Sequence, residues 1–139
     1  MTDIDAAEAS SEDVTFALTW QAEDGGLTGV LEARNISQHR VRLSGKPRLI
    51  PLDPDGQPLD AMAIMTLELR MPDYAELDPG ESARSNVGWA GWDGPPAGGV
   101  VRVEWRGGQA DVPVSGPHQP SGSGPATNLW SSWFDRVDR

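Results

Sequence analysis

The sequence predicts an all-β protein, an antiparallel two-sheet sandwich of roughly seven or eight strands with a short amphipathic helix at its C-terminus. Apolar and polar residues alternate with a period of two through residues 14–114, as expected of strands with one buried face. The chain of 139 residues also has 16 glycines and 12 prolines, many of them between these runs, where turns are expected. An apolar repeat of helical spacing follows after residue 126.

The first two strands are predicted to form a hairpin. The run VTFALTW places on one face Val14, Phe16, Leu18 and Trp20. The sequence EDGG at 23–26 favours a tight turn into the run LTGVLEARN. We therefore expect these two strands to be neighbours in one sheet.

Further strands are expected in the middle of the chain. The run HRVRL points Val41 and Leu43 inward, and the run PRLIPL follows it. The sequence DPDG at 53–56 favours a type I turn. The stretch AMAIMTLELRM at 61–71 has helical propensity, but its apolar residues share one strand face, so we predict a strand. The inward residues of that strand would be Ala63, Met65, Leu67, Leu69 and Met71.

Turn signals mark the later strands. The sequence DPGE at 78–81 has Pro and Gly at the central positions of a type II turn, which predicts that a strand follows and runs to Trp89. The runs GVVRVEW and QADVPV are joined by RGG at 106–108, which favours another hairpin. Trp20, Trp89 and Trp105 fall on inward faces at strand ends, so we expect them in the core.

These turn and core positions resemble those of a known bacterial family. Its pattern is a strand ending in Asn35, then Leu43-x-Gly45-x-Pro47, Asp55-Gly56 and Leu77-x-Pro79-Gly80-x-Ser82-Ala83 running to Trp89. In these positions the sequence is similar to a domain of unassigned function that is common in actinobacteria, often in exported or lipid-anchored proteins. The resemblance covers residues 14–114 and implies an immunoglobulin-like sandwich without catalytic residues. The Leu-x-Pro-Gly segment also resembles, more weakly, bacterial intracellular proteinase inhibitors.

The composition argues against several functions and locations. A formal net charge of −10 disfavours nucleic-acid binding, because phosphate contacts require clustered Lys and Arg. No apolar run approaches the roughly 20 residues of a membrane-spanning helix, and the start of the sequence lacks the features of a signal peptide. We therefore expect a cytoplasmic protein, or an extracytoplasmic one if an N-terminal export signal has been removed. The absence of cysteine fits a reducing compartment.

Catalysis is not expected from this sequence. Nucleophilic catalysis needs a Ser, Thr or Cys beside a base, but the histidines are His39 at a strand entry and His118 in a linker. A hydrolase is the outside alternative and would require His39 to gather with a Ser and a carboxylate. No cofactor is expected, and two histidines without cysteine fall short of a zinc site. Asp53-x-Asp55-Gly56 resembles the start of a calcium loop but lacks its later ligands, so we expect a turn.

A basic stretch offers one candidate binding surface. No acidic residue occurs from 33 to 52, and strand alternation places Arg40 and Arg42 on one outer face. One interpretation is a solvated face whose charges are balanced by neighbouring strands. The other is a docking surface for an anionic partner, or for the acidic segment 3–13 of the same chain.

A tryptophan in a loop offers a second candidate. Trp92 lies in the Gly/Pro-rich stretch GWAGWDGPPAGG, where it has no periodic partner. We expect it either to plug the end of the sandwich or to form an exposed stacking platform for a sugar or a peptide. The sequence leaves both interpretations open.

The ends of the chain differ in composition from its centre. Residues 1–13 carry five acids and no base, which predicts a mobile acidic tail. Residues 115–126 form a linker rich in Ser, Gly and Pro, and residues 127–139 are predicted to form an amphipathic helix. The apolar stripe of this helix would consist of Leu129, Trp130, Trp133, Phe134 and Val137.

This aromatic stripe is the strongest candidate for an interaction. It is expected to lie in a groove of its own sandwich, to swap into a neighbouring subunit and form a homodimer, or to enter the groove of a protein partner. The sequence therefore predicts a non-enzymatic binding or protein-interaction module. The alternative function is a proteinase inhibitor that presents an exposed loop at 73–80 or at 89–99.

Overall fold

The computed structural model of the protein describes residues 7–64, 70–123 and 129–137. All regular structure in these residues is β, which confirms the predicted all-β class. The described part of the chain contains no helix that is long and apolar enough to cross a membrane. The strands are β1 (Ala7–Glu8), β2 (Val14–Glu23), β3 (Gly26–Asn35), β4 (Val41–Ser44), β5 (Arg48–Leu52), β6 (Tyr74–Leu77), β7 (Ser82–Trp89), β8 (Val100–Trp105), β9 (Gly108–Ser115), β10 (Leu129–Ser131) and β11 (Asp135–Arg136).

The strands of the described residues form two sheets. The smaller sheet has the order β1-β4-β6, and β1 runs parallel to β4. The larger sheet has the order β10-β7-β3-β2-β9-β8-β5, and β11 also pairs with β7. The pair β2 and β9 is parallel, whereas the other pairs described in this sheet are antiparallel. The two-sheet, mainly antiparallel arrangement agrees with the prediction, and the immunoglobulin-like assignment stays a prediction.

The larger sheet curls until its outer strands approach each other, so that it is nearly barrel-like. In β10, Ser131 Oγ donates a hydrogen bond to the carbonyl of Pro47, next to β5, at 2.6 Å. On the same side of β10, Leu129 N donates to Met62 O at 2.8 Å, and Ile64 N donates to Leu129 O at 2.6 Å. β10 therefore has β7 on one edge and residues 62–64 on the other, which removes an open strand edge.

The predicted turns form where the sequence places them. Between β2 and β3, Asp24 and Gly25 have φ of 50° and 86°, the positive values of a two-residue hairpin turn. Before β7, Gly80 has φ of 86° and Glu81 N donates to Asp78 O at 2.9 Å, as in the predicted type II turn. In the DPDG turn, Asp53 Oδ1 accepts hydrogen bonds from the backbone of the same loop, which confirms a turn.

One continuous cluster of buried apolar side chains fills the interior. It contains the predicted inward tryptophans Trp20, Trp89 and Trp105, which are 1%, 0% and 8% exposed. The indole N–H of Trp105 donates to the carbonyl of Ala9 at 2.7 Å. Burial of each large apolar side chain contributes about 1.5–3 kcal/mol to stability, so this cluster is the main source of the fold's free energy.

The predicted C-terminal helix is wrong. Leu129–Ser131 and Asp135–Arg136 are instead short strands that pair antiparallel with β7. Between them, Ser132 N donates to Asn86 O at 2.8 Å, so the segment follows β7 as a nearly continuous partner. The physical reason is non-local: β7 would otherwise expose a row of backbone donors and acceptors, which a helix cannot pair. A docked C-terminal helix is therefore excluded as the means of interaction.

The predicted mobile tail also differs from the structure over residues 7–13. Ala7–Glu8 pairs with Val41 and Arg42 in β4, and Ala9 is completely buried. Asp13 then closes a turn, since its Oδ2 accepts a hydrogen bond from Ser10 N at 2.9 Å. Residues 1–6 lie outside the described part of the chain. Composition suggested disorder here, because it does not reveal that Ser44 in β4 donates hydrogen bonds to the Glu8 carboxylate.

Two other predicted segments need correction. The strand predicted at 61–71 is reduced in the described residues to a single bridge between Ala63 and Leu129, and Met71 is 91% exposed rather than inward. The inward residues predicted at 65–69 lie outside the described residues. The predicted linker is tied down in its described part, because Gly122 N donates to Gly25 O at 2.8 Å and Pro120 is buried.

Candidate functional site

The outer face of β2, β3, β7 and β10 carries two rows of uncharged residues at its centre. Side chains alternate along a strand, so residues that pair across the sheet lie side by side on one face. One row consists of Gln21, Thr28, Gly88 and Trp130, and the next consists of Thr19, Val30 and Asn86. The inward residues of the same strands belong to the core described above. The two rows therefore lie on the opposite face of the sheet, towards solvent.

Trp130 is held against the sheet by a glycine. Its ring lies across Gly88 on the neighbouring strand, and a methyl group built on Gly88 would overlap the ring atoms of Trp130. Glycine is unfavourable in a strand interior, and it commonly marks a place where another group approaches the backbone closely. Trp130 nevertheless stays 40% exposed, whereas Leu129 beside it is 1% exposed. The sheet therefore fixes the position of the indole without burying it.

A groove runs along this face beside Trp130. Its volume is about 320 Å³, and we call it the outer groove. The residues that line it are Thr19, Gln21, Thr28, Gly29, Val30, Asn86, Val87 and Trp130. A second depression of about 280 Å³ continues from it along the sheet, past Thr19 and Val30 towards Glu32 and Arg84. The lining residues come from strands that pair with each other, so the shape is set by the sheet itself.

The described residues that line the outer groove are all uncharged. The charges at its ends are engaged by neighbours: Arg84 Nε donates to Glu32 Oε1 at 3.0 Å, and Glu23 Oε2 accepts from Thr28 Oγ1 at 3.0 Å. The whole chain carries a formal net charge of −10. A neutral strip on so acidic a protein disfavours anions and offers no ionic site to a cation.

The rest of the predicted aromatic stripe is divided between the interior and the surface. Leu129 and Phe134 are buried in the core, each 1% exposed. Trp133 is half-buried, and Lys46 Nζ lies 5.4 Å from the centre of its ring. The stripe is therefore not one apolar surface. Only Trp130, among its described members, combines a large apolar ring with substantial exposure.

Trp92 packs partly against the core, next to Trp89. Its ring centre lies 5.6 Å from that of Trp89, and its Nε1 donates to the carbonyl of Pro95 at 2.7 Å. The residue packs partly buried against the core. Its indole N–H is thus used inside its own loop, and the ring leans on a core tryptophan rather than standing out as a platform.

Arg40 and Arg42 are both paired with acidic residues of the same chain. Arg40 Nε donates to Asp78 Oδ1 at 2.8 Å, and Arg42 Nε lies 3.6 Å from Glu8 Oε1. The guanidinium of Arg42 also lies 5.3 Å from the centre of the Tyr74 ring. This is the arrangement in which neighbouring strands balance the charges. It also places part of the acidic N-terminal segment on the basic face, as one of the sequence hypotheses stated.

The docked N-terminal segment is held by specific contacts. The Glu8 carboxylate accepts hydrogen bonds from Ser44 N at 2.9 Å and from Ser44 Oγ at 2.6 Å. The next residue, Ala9, fits where Gly107 leaves room, since a methyl group at Gly107 would overlap the Ala9 carbonyl. At Arg42, the basic surface is therefore occupied by the chain's own Glu8, whereas Arg40 is paired with Asp78, and docking of an anionic partner there stays a prediction.

The residues considered for catalysis lie at the turn that follows β3, and Ser37 lines a shallow depression there. His39 Nε2 lies 3.7 Å from Asp13 Oδ1, and the His39 side chain is 59% exposed. The hydroxyl of Ser37 bonds to Asn35 Oδ1 at 2.7 Å and to the backbone carbonyl of His39 at 2.9 Å. Across the described residues there is no group of three or more His, Cys, Asp or Glu that could hold a metal ion. The hydrogen bond to Asp111 raises the pKa of the Arg102 guanidinium, which only keeps it charged.

Sequence reasoning named Trp130 but missed its neighbours in the outer groove. The outward positions of Thr19, Gln21 and Thr28 follow from alternation, and the hairpin signal pairs β2 with β3, yet nothing in the sequence says that β7 and β10 lie beside β3. The one local signal was Gly88, a glycine within a strand that reads otherwise as a regular alternation. A glycine at this position indicates that another group lies close to the backbone of the strand. It does not identify that group as the ring of Trp130.

These observations define the class of the protein. It is an all-β domain with a curled sheet and an exposed aromatic residue on the outer face of that sheet. The chain matches the family model described as a domain of unknown function (DUF4232) over residues 9–133. It belongs to this family. No curated protein matches the chain, and no solved structure matches it either. The match agrees with the unassigned-function domain that the turn motifs resemble, whereas an actinobacterial and exported setting stays a prediction.

Proposed function

We propose that this protein is a non-catalytic binding domain and that its ligand site is the outer groove, with Trp130 as the principal contact residue. The observation that carries the proposal is the seating of Trp130 over Gly88, which keeps the indole in one place and leaves 40% of it exposed. An exposed ring forfeits the hydrophobic stabilisation of burial, and ordered rings of this kind recur at binding surfaces.

The groove suits binding without rearrangement. Its floor is formed by β2, β3 and β7, and its wall by β10, each hydrogen-bonded to a neighbouring strand. Side chains on paired strands hold their positions better than side chains on loops, and this lowers the entropy lost when a ligand binds. The lining combines an indole, aliphatic carbons, hydroxyls and amides, which is the mixture typical of small-molecule sites.

The test is a binding screen on the full chain labelled with ¹⁵N. Mixtures of saccharides, peptides, nucleotides and short-chain lipids are added, and the indole N–H signals and the amides of Thr28 and Asn86 are followed. The expected result is a saturable shift confined to the outer groove. Trp130→Ala should abolish it, whereas Ile36→Ala, which removes a side chain that is 52% exposed on a distant turn, should not. Shifts elsewhere, or none with any class, would remove the proposal.

A second candidate is a proteinase inhibitor that presents the loop at 93–96. All four of these residues are exposed, while the ends of the loop are fixed: Trp92 N donates to Gly122 O at 2.9 Å, and Ala97 N donates to Gln119 Oε1 at 2.8 Å. An exposed loop with fixed ends loses little entropy on binding, which is what a protease-binding loop requires. The other loop considered, at 73–80, contains β6 within the smaller sheet and is less suited. Assays against serine and cysteine proteases test this candidate directly, and an absence of inhibition by micromolar protein eliminates it.

A further inference from the structure

We infer that the outer groove binds a neutral saccharide, with one sugar ring stacked on the exposed surface of Trp130. This inference rests on the proposed function and goes further by naming the class of ligand.

The indole is placed as a platform. Its inner side lies on Gly88, where the missing side chain lets the ring approach the sheet, and its outer side remains accessible. The face of an aromatic ring carries a partial negative charge, and it attracts the weakly positive C–H groups that one face of a pyranose ring presents. The indole thus offers an apolar surface beside the polar side chains of the groove. A sugar ring, which has an apolar C–H face and polar hydroxyls at its edge, matches both.

The lining beside the platform offers neutral hydrogen-bonding groups. The hydroxyl of Thr19 and the amides of Gln21 and Asn86 can each donate and accept hydrogen bonds, as a sugar hydroxyl also can. The Thr28 hydroxyl donates its proton to Glu23 Oε2 and can therefore only accept a hydrogen bond from the ligand. Gln21 and Asn86 are exposed and stand on either side of β3. The groove volume of about 320 Å³ lies at the lower end of ligand pockets, roughly 300–1,000 Å³, and gives room for a mono- or disaccharide.

Charge makes other ligands less suitable. The groove lining holds no charged side chain in the part of the chain that the structure describes. Arg84, in the adjoining depression, is hydrogen-bonded to Glu32, and Arg48 lies in a separate pocket that Trp130 also borders. With a formal net charge of −10 on the chain, phosphates, uronic acids and anionic lipids would be repelled. A neutral ligand avoids this repulsion, and its hydroxyls lose less hydration on binding than an unpaired charge would.

The backbone pairing disfavours an extended peptide. Peptides that bind to sheets usually add a strand to an open edge, where the main chain supplies the hydrogen bonds. Here β3 and β7 are paired on both edges, and β10 lies between β7 and residues 62–64. β2 is paired with β3 along its length and with β9 at Leu18 and Thr19. The outer groove lies on the face of the sheet, where the backbone groups of β3 and β7 are already paired with neighbouring strands. A ligand whose own hydroxyls carry the recognition fits such a face better than a peptide whose recognition depends on its main chain.

The test is a titration of the full chain with a panel of neutral oligosaccharides built from glucose, mannose, galactose or N-acetylglucosamine. Parallel titrations use a uronic-acid oligomer and a set of neutral peptides. Tryptophan fluorescence and the ¹⁵N-indole signals report on Trp130, and calorimetry gives the affinity. The expected result is that at least one neutral saccharide binds with a Kd of about 1 mM or tighter, and that the uronic-acid oligomer does not bind.

Matched variants locate the binding. Trp130→Ala should weaken the saccharide at least about tenfold, as loss of one stacking contact does, and Trp130→Phe should restore part of the affinity. Gly88→Ala keeps the indole but displaces its ring, so it should also weaken binding. Ile36→Ala should bind as the unaltered protein does. Circular dichroism shows whether each variant folds, and Asn86→Ala, an exposed amide in the lining, serves as the probe if a ring variant does not.

The outcomes separate the inference from the proposed function. A peptide that binds at Trp130, with no saccharide binding, overturns the saccharide inference and leaves the proposed function in place. Saccharide binding that is unchanged in Trp130→Ala and in Asn86→Ala overturns both, because the site would lie elsewhere. No binding by any class of ligand overturns both as well. Binding of the neutral saccharide with the expected losses in the variants supports both.

Discussion

Asn35 and Trp130 lie beside opposite ends of β7 and differ in how their side chains are placed. Asn35 is buried and hydrogen-bonded within the protein, whereas Trp130 is partly exposed to solvent. Asn35 is completely buried, and its backbone N donates to Glu81 O at 2.9 Å. Its side-chain nitrogen donates to the carbonyls of His39 at 2.8 Å and Leu77 at 3.0 Å. Its Oδ1 accepts from Ser37 N at 2.9 Å and from Ser37 Oγ at 2.7 Å. Trp130, by contrast, turns a large part of its ring to solvent.

The difference teaches where function should be sought in this family. The amide of Asn35 makes its hydrogen bonds inside the protein, where it joins the end of β3 to the loop after β3 and to β6. The Leu77-x-Pro79-Gly80 motif lies at the same end and forms the turn into β7. The motifs that make the sequence resemble its family thus stabilise the fold. The proposed binding role belongs to the other end of β7, around Gly88.

The largest expected effect concerns the buried side of the C-terminal segment. Phe134→Ala should lower the free energy of unfolding by about 3–5 kcal/mol, because it empties a fully buried aromatic site. Urea denaturation followed by fluorescence measures this change. Met62→Ala, at a side chain that is 56% exposed, is the control and should change stability by less than about 0.5 kcal/mol. A loss below about 1 kcal/mol for Phe134→Ala would mean that the segment is not part of the core.

The second prediction tests the buried end of the comparison. Asn35→Ala should lower the free energy of unfolding by about 2–3 kcal/mol, since the carbonyls of His39 and Leu77 lose a donor and Ser37 loses an acceptor. Asn86→Ala is the matched control, because Asn86 is exposed on β7 and should tolerate the change within about 0.5 kcal/mol. Equal effects at the two asparagines would break the contrast between the two ends of β7.

The sequence predicted those parts of the fold that depend on local chemistry. Alternation identified Trp20 and Trp89 as inward residues, and the order of Pro and Gly identified the turn at 78–81, because both signals act over a few residues. The C-terminal segment shows the limit. Leu129, Trp130, Trp133 and Phe134 are spaced as in a helix, but the open edge of β7, which lies far away in the sequence, decides their conformation.

The candidate site was harder to predict for the same reason. Alternation predicts that Thr28 and Asn86 point outward, but their neighbours depend on the order of strands in the sheet. Trp130 joins them only because β10 pairs with β7, with Trp130 opposite Gly88. Similarly, Glu8 looked like part of a mobile tail until the position of Ser44 gave its carboxylate two donors. In each case the missing information was the long-range pairing of strands.

The third prediction concerns the contact between Glu8 and Ser44. In it a charged side chain is held by hydrogen bonds, as the neutral side chain of Asn35 is. Glu8→Ala should lower the free energy of unfolding by about 1–2 kcal/mol, because Ser44 N and Oγ, both in a buried residue, lose their acceptor. Glu12→Ala removes an exposed carboxylate from the same acidic segment and is the control. Hydrogen exchange should also become faster at Ser44 in Glu8→Ala alone. An unchanged stability would show that residues 7–9 contribute little to the fold.

The smallest expected effect on stability belongs to Trp130, and it sharpens the comparison most. Trp130→Ala should lower the free energy of unfolding by less than about 1 kcal/mol, because the ring is already partly exposed and the backbone pairing of β10 with β7 does not depend on it. Denaturant unfolding and amide exchange at Val87 and Ser131 measure the change. A loss comparable to that of Phe134→Ala would make Trp130 a structural residue that covers Gly88. A small loss would show that the exposed ring contributes little to the stability of the fold, as the proposed binding role of Trp130 requires.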